Sequence, residues 1–114
     1  MIAVIFELEP HAGLEARYFE WAEALKASLM TLEGFISIER FESIAQPGRY
    51  LSLSFWQDEQ SVRNWRNLEA HRLAQEDGRA RIFADYRLRV AEVIRDYGLS
   101  SRDQAPSDSR DALR

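Results

Sequence analysis

The sequence predicts one α+β domain, and three observations carry that prediction. Apolar residues alternate with period two in four segments and recur at steps of three and four in Leu14 to Leu32, while Asp58 to Gln75 reads as a second helix whose apolar residues spread over much of its circumference. These segments fall in the order strand, helix, strand, strand, helix, strand. The length of 114 residues, 46% of them hydrophobic, supports one core and no second.

Ile2 to Leu8 is the first strand, with Ile2, Val4, Phe6 and Leu8 on one face and Ala3, Ile5, Glu7 and Glu9 on the other. Pro10, which has no N–H to donate, stops its ladder. Leu14 to Leu32 is a helix, because Leu14, Tyr18, Trp21, Leu25, Leu29 and Leu32 form one stripe. Trp21 lies in that stripe and reads as core. Gly34 supplies the left-handed stop. Phe35 to Ser43 and Tyr50 to Trp56 are strands joined through Gln46-Pro47-Gly48, a turn composition, so they form an antiparallel hairpin. In the second of them Leu51, Leu53 and Phe55 oppose Tyr50, Ser52, Ser54 and Trp56.

Asp58 to Gln75 is predicted helical, capped by Asp58 or its neighbour. Asn64, Asn67 and His71 share a side if the helix is continuous, but Asn67 is a poor helix former and a break there would separate them. Gly78 ends the segment, Arg79 to Asp85 connects, and Tyr86 to Tyr97 is the last strand. Arg87 and Arg89 alternate with Tyr86 and Leu88 and read as an outward or interfacial pair. His11 reads as an exposed loop residue. The domain spans residues 1–98, and residues 99–114, rich in Ser, Asp and Arg, are expected to be a mobile polar tail.

This order is the split βαβ arrangement (βαββαβ) of ferredoxin-like domains: a four-stranded antiparallel sheet with both helices on one face. The opposite face would carry Phe35, Phe41, Tyr50 and Trp56, depending on register. That is too much aromatic surface for solvent, so a homodimer through the sheet face is expected.

The composition excludes several classes of function. A net charge of −4 argues against nucleic acid or an anionic membrane as the main partner. The absence of cysteine removes disulfides and thiolate chemistry. Two separated histidines make no metal-ligand set, so no metal is expected. No apolar run approaches the roughly 20 residues of a membrane span, and the start lacks a basic leader, so a cytoplasmic protein is expected.

The stretch from Phe55 to His71 concentrates chemistry. It holds two of three tryptophans and one of two histidines. The short first strand, Gly34-Phe35, Ser54-Phe55-Trp56 and the run Trp56, Trp65, His71 resemble the antibiotic biosynthesis monooxygenase family, within the dimeric α+β barrel superfamily. The resemblance covers Met1 to about Gly98. It implies a pocket between sheet and helices and, in the best-understood members, oxidation of electron-rich phenols to quinones by O2 with no metal or flavin. The substrate is then the reductant, and the protein must hold it, help deprotonate it and exclude water.

Carried onto this chain, the resemblance makes His71, Trp65 and Asn64 candidate catalytic residues and Asn67, Phe83 and Tyr86 candidate substrate-binding residues. Trp65 offers a stacking wall and an N–H. Asn64 or Asn67 offers an amide for a developing oxyanion. His71, with an ordinary pKa of about 6.5, offers a base near neutral pH. The expected partners are a small aromatic molecule and O2, with no bound cofactor. Two alternatives stay open: a non-catalytic dimer that binds a small ligand, and a haem-binding or haem-degrading monooxygenase. For haem, Trp65 fits, but Gln75 stands where the haem-degrading relatives carry their histidine, and Glu7 and Leu8 stand where their asparagine belongs.

Overall fold

The computed structural model describes residues 1–112. Its four strands are β1 (Ile2–Pro10), β2 (Phe35–Glu42), β3 (Tyr50–Trp56) and β4 (Phe83–Glu92). They form one antiparallel sheet in the order β2-β3-β1-β4. Helix α1 (Glu15–Met30) links β1 to β2, while α2 (Glu59–Arg66) and α3 (Glu69–Asp77) link β3 to β4. This is the ferredoxin-like architecture that the order of apolar segments predicts.

Both central strands owe their length to the β-branched and aromatic residues that fill them. In register, Ile2, Val4, Phe6 and Leu8 of β1 stand beside Trp56, Ser54, Ser52 and Tyr50 of β3 on one side, and beside Glu92, Val90, Leu88 and Tyr86 of β4 on the other. This is the helix-covered face. It carries two adjoining cores. Leu8, Tyr18 and Ile82 anchor one, with Phe6, Leu14, Trp21, Tyr50 and Phe83 against them. Leu29, Trp56 and Val62 anchor the other, with Ile2, Val4, Leu32, Phe35, Ile38 and Trp65 packed on it. The α1 stripe read from the sequence thus supplies Leu14, Tyr18, Trp21, Leu29 and Leu32 to these two clusters.

The sidedness of β3 differs from the expectation. Tyr50, Trp56 and Phe35 lie beneath the helices, and the open face carries Ile5, Leu51, Leu53, Phe55 and Phe41 instead. Both faces of β3 are apolar enough to be buried, so alternation alone does not choose between them. The choice follows from volume: Ser52 and Ser54 leave room for Trp56, which is only 1% exposed and donates its indole N–H to Ser54 Oγ at 2.9 Å.

The single helix expected over Asp58–Gln75 is two. Asp58 caps α2, its Oδ1 accepting from both the N–H and the hydroxyl of Ser61 at 2.8 Å. Asn67 closes α2, and Leu68 is extended (φ −65°, ψ 138°) before α3 begins. A five-residue π-helical turn, Gly78–Ile82, then delivers Phe83 to β4, which starts earlier than expected. β4 also ends earlier, at Glu92, because its partner β1 begins at Ile2.

C-terminal to β4 the chain makes local contacts. Gly98 N–H donates to Ser101 O, Gln104 accepts from the Asp96 N–H, the Arg102 guanidinium lies over the Tyr97 ring, and Ser107–Ala112 forms a short helix. Leu113 and Arg114 lie outside the described residues. No helix among the described residues is long and apolar enough to cross a membrane.

Gly34 joins α1 to the sheet at φ +85°, and a Cβ there would fall 1.9 Å from Ser61 Oγ, which the Asp58 cap holds in place. Gly34→Ala is therefore expected to lower unfolding free energy by about 2 kcal/mol or more, from left-handed strain plus overpacking. Urea denaturation of the two proteins checks this.

Candidate functional site

The site is assembled from the end of β3 outward. Trp56 is the floor. Phe35 meets it edge-on at 5.3 Å, and Trp65, from the last turn of α2, stacks over it at 6.3 Å and 29°. His71, from the first turns of α3, lies against Trp65 with ring centroids 4.5 Å apart. The break at Asn67–Leu68 turns the chain so that Trp65 and His71 meet, although six residues apart on one continuous helix they would not share a face.

Among the described residues, His71 Nδ1 is the buried side-chain polar atom with no hydrogen-bond partner. Such an atom forfeits its hydration with nothing in return unless a ligand or water satisfies it. Burial first, and then the guanidiniums of Arg72 and Arg66, push the imidazole pKa down from 6.5 to about 4. His71 is thus neutral at physiological pH. It is a hydrogen-bonding imidazole rather than the ready base that an ordinary histidine would be.

The other candidates divide. Phe83 and Tyr86 belong to a second aromatic group with Phe6, at 5.5–5.8 Å between centroids, on the helix-facing side of β4. Phe83 is half-buried, while Tyr86 is 45% exposed. Asn64 and Asn67 do not join His71. Both are exposed; Asn64 accepts from Gln60 at 2.9 Å, and Asn67 accepts from Arg72. The helix break that brings Trp65 to His71 is what separates the asparagines from it. Arg89 lies on the open sheet face, where it and Arg49 pair with Glu7.

Sequence reading missed what holds α3. Asp77, at its C-terminal end, accepts two hydrogen bonds from Arg17 at 2.7 Å and one from the Trp21 indole at 2.7 Å. The Arg17 and Trp21 hydrogen bonds keep its carboxyl below the ordinary carboxylate range. Arg17 and Trp21 are on α1, 60 and 56 residues earlier. They line an open cleft of about 580 Å³ with Asp77, whose oxygens are both already engaged, so the cluster reads as a clasp. A second groove, of about 350 Å³, runs between α2 and β4 and is lined by Glu59, Gln60, Val62, Arg63, Arg66 and Val90. Neither arginine was singled out by spacing, since charged residues on a short helix ordinarily mark its solvated side.

The described residues contain no group of three or more His, Asp or Glu side chains placed to hold a metal.

Comparison with known proteins gives the family and the fold. Residues 1–77 match the family model described as antibiotic biosynthesis monooxygenase, which takes in Trp56, Trp65 and His71 but not Phe83 or Tyr86. A jasmonate monooxygenase of Pyricularia oryzae is 44% identical over 93 residues, 82% of this chain and 43% of that protein. The chain therefore spans less than half the length of that relative. The uncharacterized protein YqjZ of Bacillus subtilis is 31% identical over 78 residues, covering 68% of this chain and 67% of its own. Among solved structures, an antibiotic biosynthesis monooxygenase-type protein from Deinococcus radiodurans superposes with a TM-score of 0.77 over 87% of this chain and 98% of its own. At 15% identity that likeness shows the fold alone.

The depressed His71 pKa has a defined consequence. Because the folded value lies below the unfolded one, protonation favours the unfolded chain. Stability linked to His71 is whole above about pH 6.5 and declines as pH falls toward about 4, where the folded imidazole also takes a proton. NMR titration of the imidazole is expected to give a midpoint near pH 4; a midpoint near 6.5 would contradict the buried placement.

Proposed function

The chain belongs to the antibiotic biosynthesis monooxygenase family, and on that premise we propose that it oxidises a small aromatic, phenolic substrate with O2 and no bound cofactor. The observation that carries this reading is the unpartnered, buried Nδ1 of His71 held against Trp65. A phenolic O–H donating to Nδ1 would satisfy the orphaned atom. A ring stacked on Trp65 would be fixed for attack while its substituents stay out of bulk water.

The chemistry balances without an external reductant. A phenol whose ring carries an oxidisable methylene gives up two hydrogens and four electrons to O2. One oxygen becomes the new carbonyl and the other leaves as water. The chain's own part is to orient the ring on Trp65 and to draw the phenolic proton toward His71. With a pKa near 4, His71 removes little of that proton outright; it polarises the O–H, and negative charge gathering on the phenolic oxygen would raise its basicity during reaction. Phe83 and Tyr86 supply apolar and aromatic surface beside the sheet. Asn64 and Asn67, exposed and engaged elsewhere, have no part in this proposal.

A second reading has its own support. The Pyricularia relative is by name a jasmonate monooxygenase, which adds jasmonate to the candidate substrates. O2 uptake by the purified protein against a panel of anthrone-like phenols, hydroquinones and jasmonate is the test. Uptake is expected with at least one class, and His71→Ala or Trp65→Phe is expected to lower kcat/KM by about 100-fold or more. Thermal stabilisation by a panel member with no uptake would instead make the chain a non-catalytic binder.

The assembly belongs to the same proposal. Ile5, Leu51, Leu53, Phe55 and Phe41 form an apolar stretch on the open sheet face, which a second copy would cover. Light scattering at micromolar concentration is expected to return the mass of two chains. A monomer mass would contradict the sheet-face dimer.

A further inference from the structure

We propose that the groove between α2 and β4 binds an anionic group of the substrate, a carboxylate or its equivalent, on the guanidiniums of Arg63 and Arg66. This rests on the reading that Trp65 and His71 contact the substrate, and it adds the charge that the substrate must carry.

Glu59, Val62, Arg63 and Arg66 recur at steps of three and four and so share one stripe of α2. With Gln60 and with Val90 of β4 they enclose a groove of about 350 Å³, within the range of roughly 300–1,000 Å³ that small ligands occupy. The groove adjoins the aromatic site, because Val62 is buried in the cluster on which Trp65 packs. Its β4 side is Val90, 45% exposed, and the same face of β4 continues beyond the groove with Leu88 and Tyr86, 51% and 45% exposed. A substrate whose ring sits at Trp65 would extend a charged arm into this groove along α2.

The two arginines are free to meet it. Among the described side chains neither makes an ion pair, whereas Arg17, Arg49, Arg81 and Arg89 all do. Guanidinium forks match carboxylate geometry bidentately, which a single cation of another type would not. The one acid in the lining, Glu59, is in the first turn of α2 and the arginines are in the last. The groove therefore has a polarity, and an anion is favoured at the Arg66 end, toward Trp65. Arg66 also contributes to keeping His71 uncharged, so its field reaches the imidazole. An alternative role, complementing the negative C-terminal end of α2, would be blind to the charge of a ligand.

That difference sets the test. The full chain is titrated with 6-hydroxy-2-naphthoate and with its uncharged methyl ester, as wild type and as Arg63→Gln, Arg66→Gln and the double variant. Both positions are exposed, and thermal melts confirm that the variants fold. The acid is expected to bind wild type about tenfold or more tighter than the ester. The double variant is expected to lose that preference while its affinity for the ester stays the same. Equal binding of acid and ester to wild type, or an acid preference that survives in the double variant, overturns the proposal. In either case binding of the ester leaves the phenol-oxidising reading standing. If neither compound binds, the anion proposal falls, while O2 uptake with the phenol panel decides the oxidation reading separately.

Discussion

The placement of Trp56 is the constraint on which the rest of the molecule depends. It ends β3, pairs with Ile2 of β1 on one side and Phe35 of β2 on the other, and is nearly wholly enclosed. An indole of this size buried with its N–H unsatisfied would cost a hydrogen bond's desolvation. Ser54, two residues back on the same face, meets that need and is small enough to leave the space. Once Trp56 is inside, β3 has no choice of face: Leu51, Leu53 and Phe55 go outward, and α2 packs with Val62 and Trp65 on the indole. Fold and site share one residue, so the floor of the candidate site is as rigid as the core.

The second requirement is the position of α3. It starts without a side-chain cap, after an extended Leu68, and its own sequence offers few apolar anchors. Its far end is fixed instead, by the Arg17–Asp77–Trp21 clasp and by Gly78, where a Cβ would meet the Phe83 ring at 2.5 Å. α3 thus hangs from its C-terminal end, with His71 near the other. The imidazole is held by contact with Trp65 and by no hydrogen bond at Nδ1. The scaffold thus fixes where Nδ1 is and gives it no hydrogen-bond partner.

Much of this was legible in the sequence, and the exceptions have physical reasons. The α1 stripe from Leu14 to Leu32, the Pro47-Gly48 turn, the Gly34 stop and the Asp58 cap each follow from local rules, and together they leave little freedom in the topology. Trp65 and His71 could be picked out as rare, chemically able residues close in the chain. The faces of β3 could not be read, since period-two alternation says which residues share a side but not which side is covered. The asparagines illustrate a different limit. Helical spacing groups Asn64, Asn67 and His71 only if the helix continues, and the poor helix former Asn67 is where it stops. Asp77 carried no signal, because an aspartate before a glycine reads as a helix end and its partners are 60 and 56 residues away.

The central claim is that His71 Nδ1 is the atom that waits for the substrate. Its most direct test is the 15N resonance of that nitrogen, followed while the protein is titrated with 2-naphthol. The account predicts that Nδ1 moves toward the shift of a hydrogen-bonded acceptor as the probe saturates, and that the Trp65 indole signals move with it. Saturation by the probe with both sets of signals unmoved would contradict it and place the ligand elsewhere.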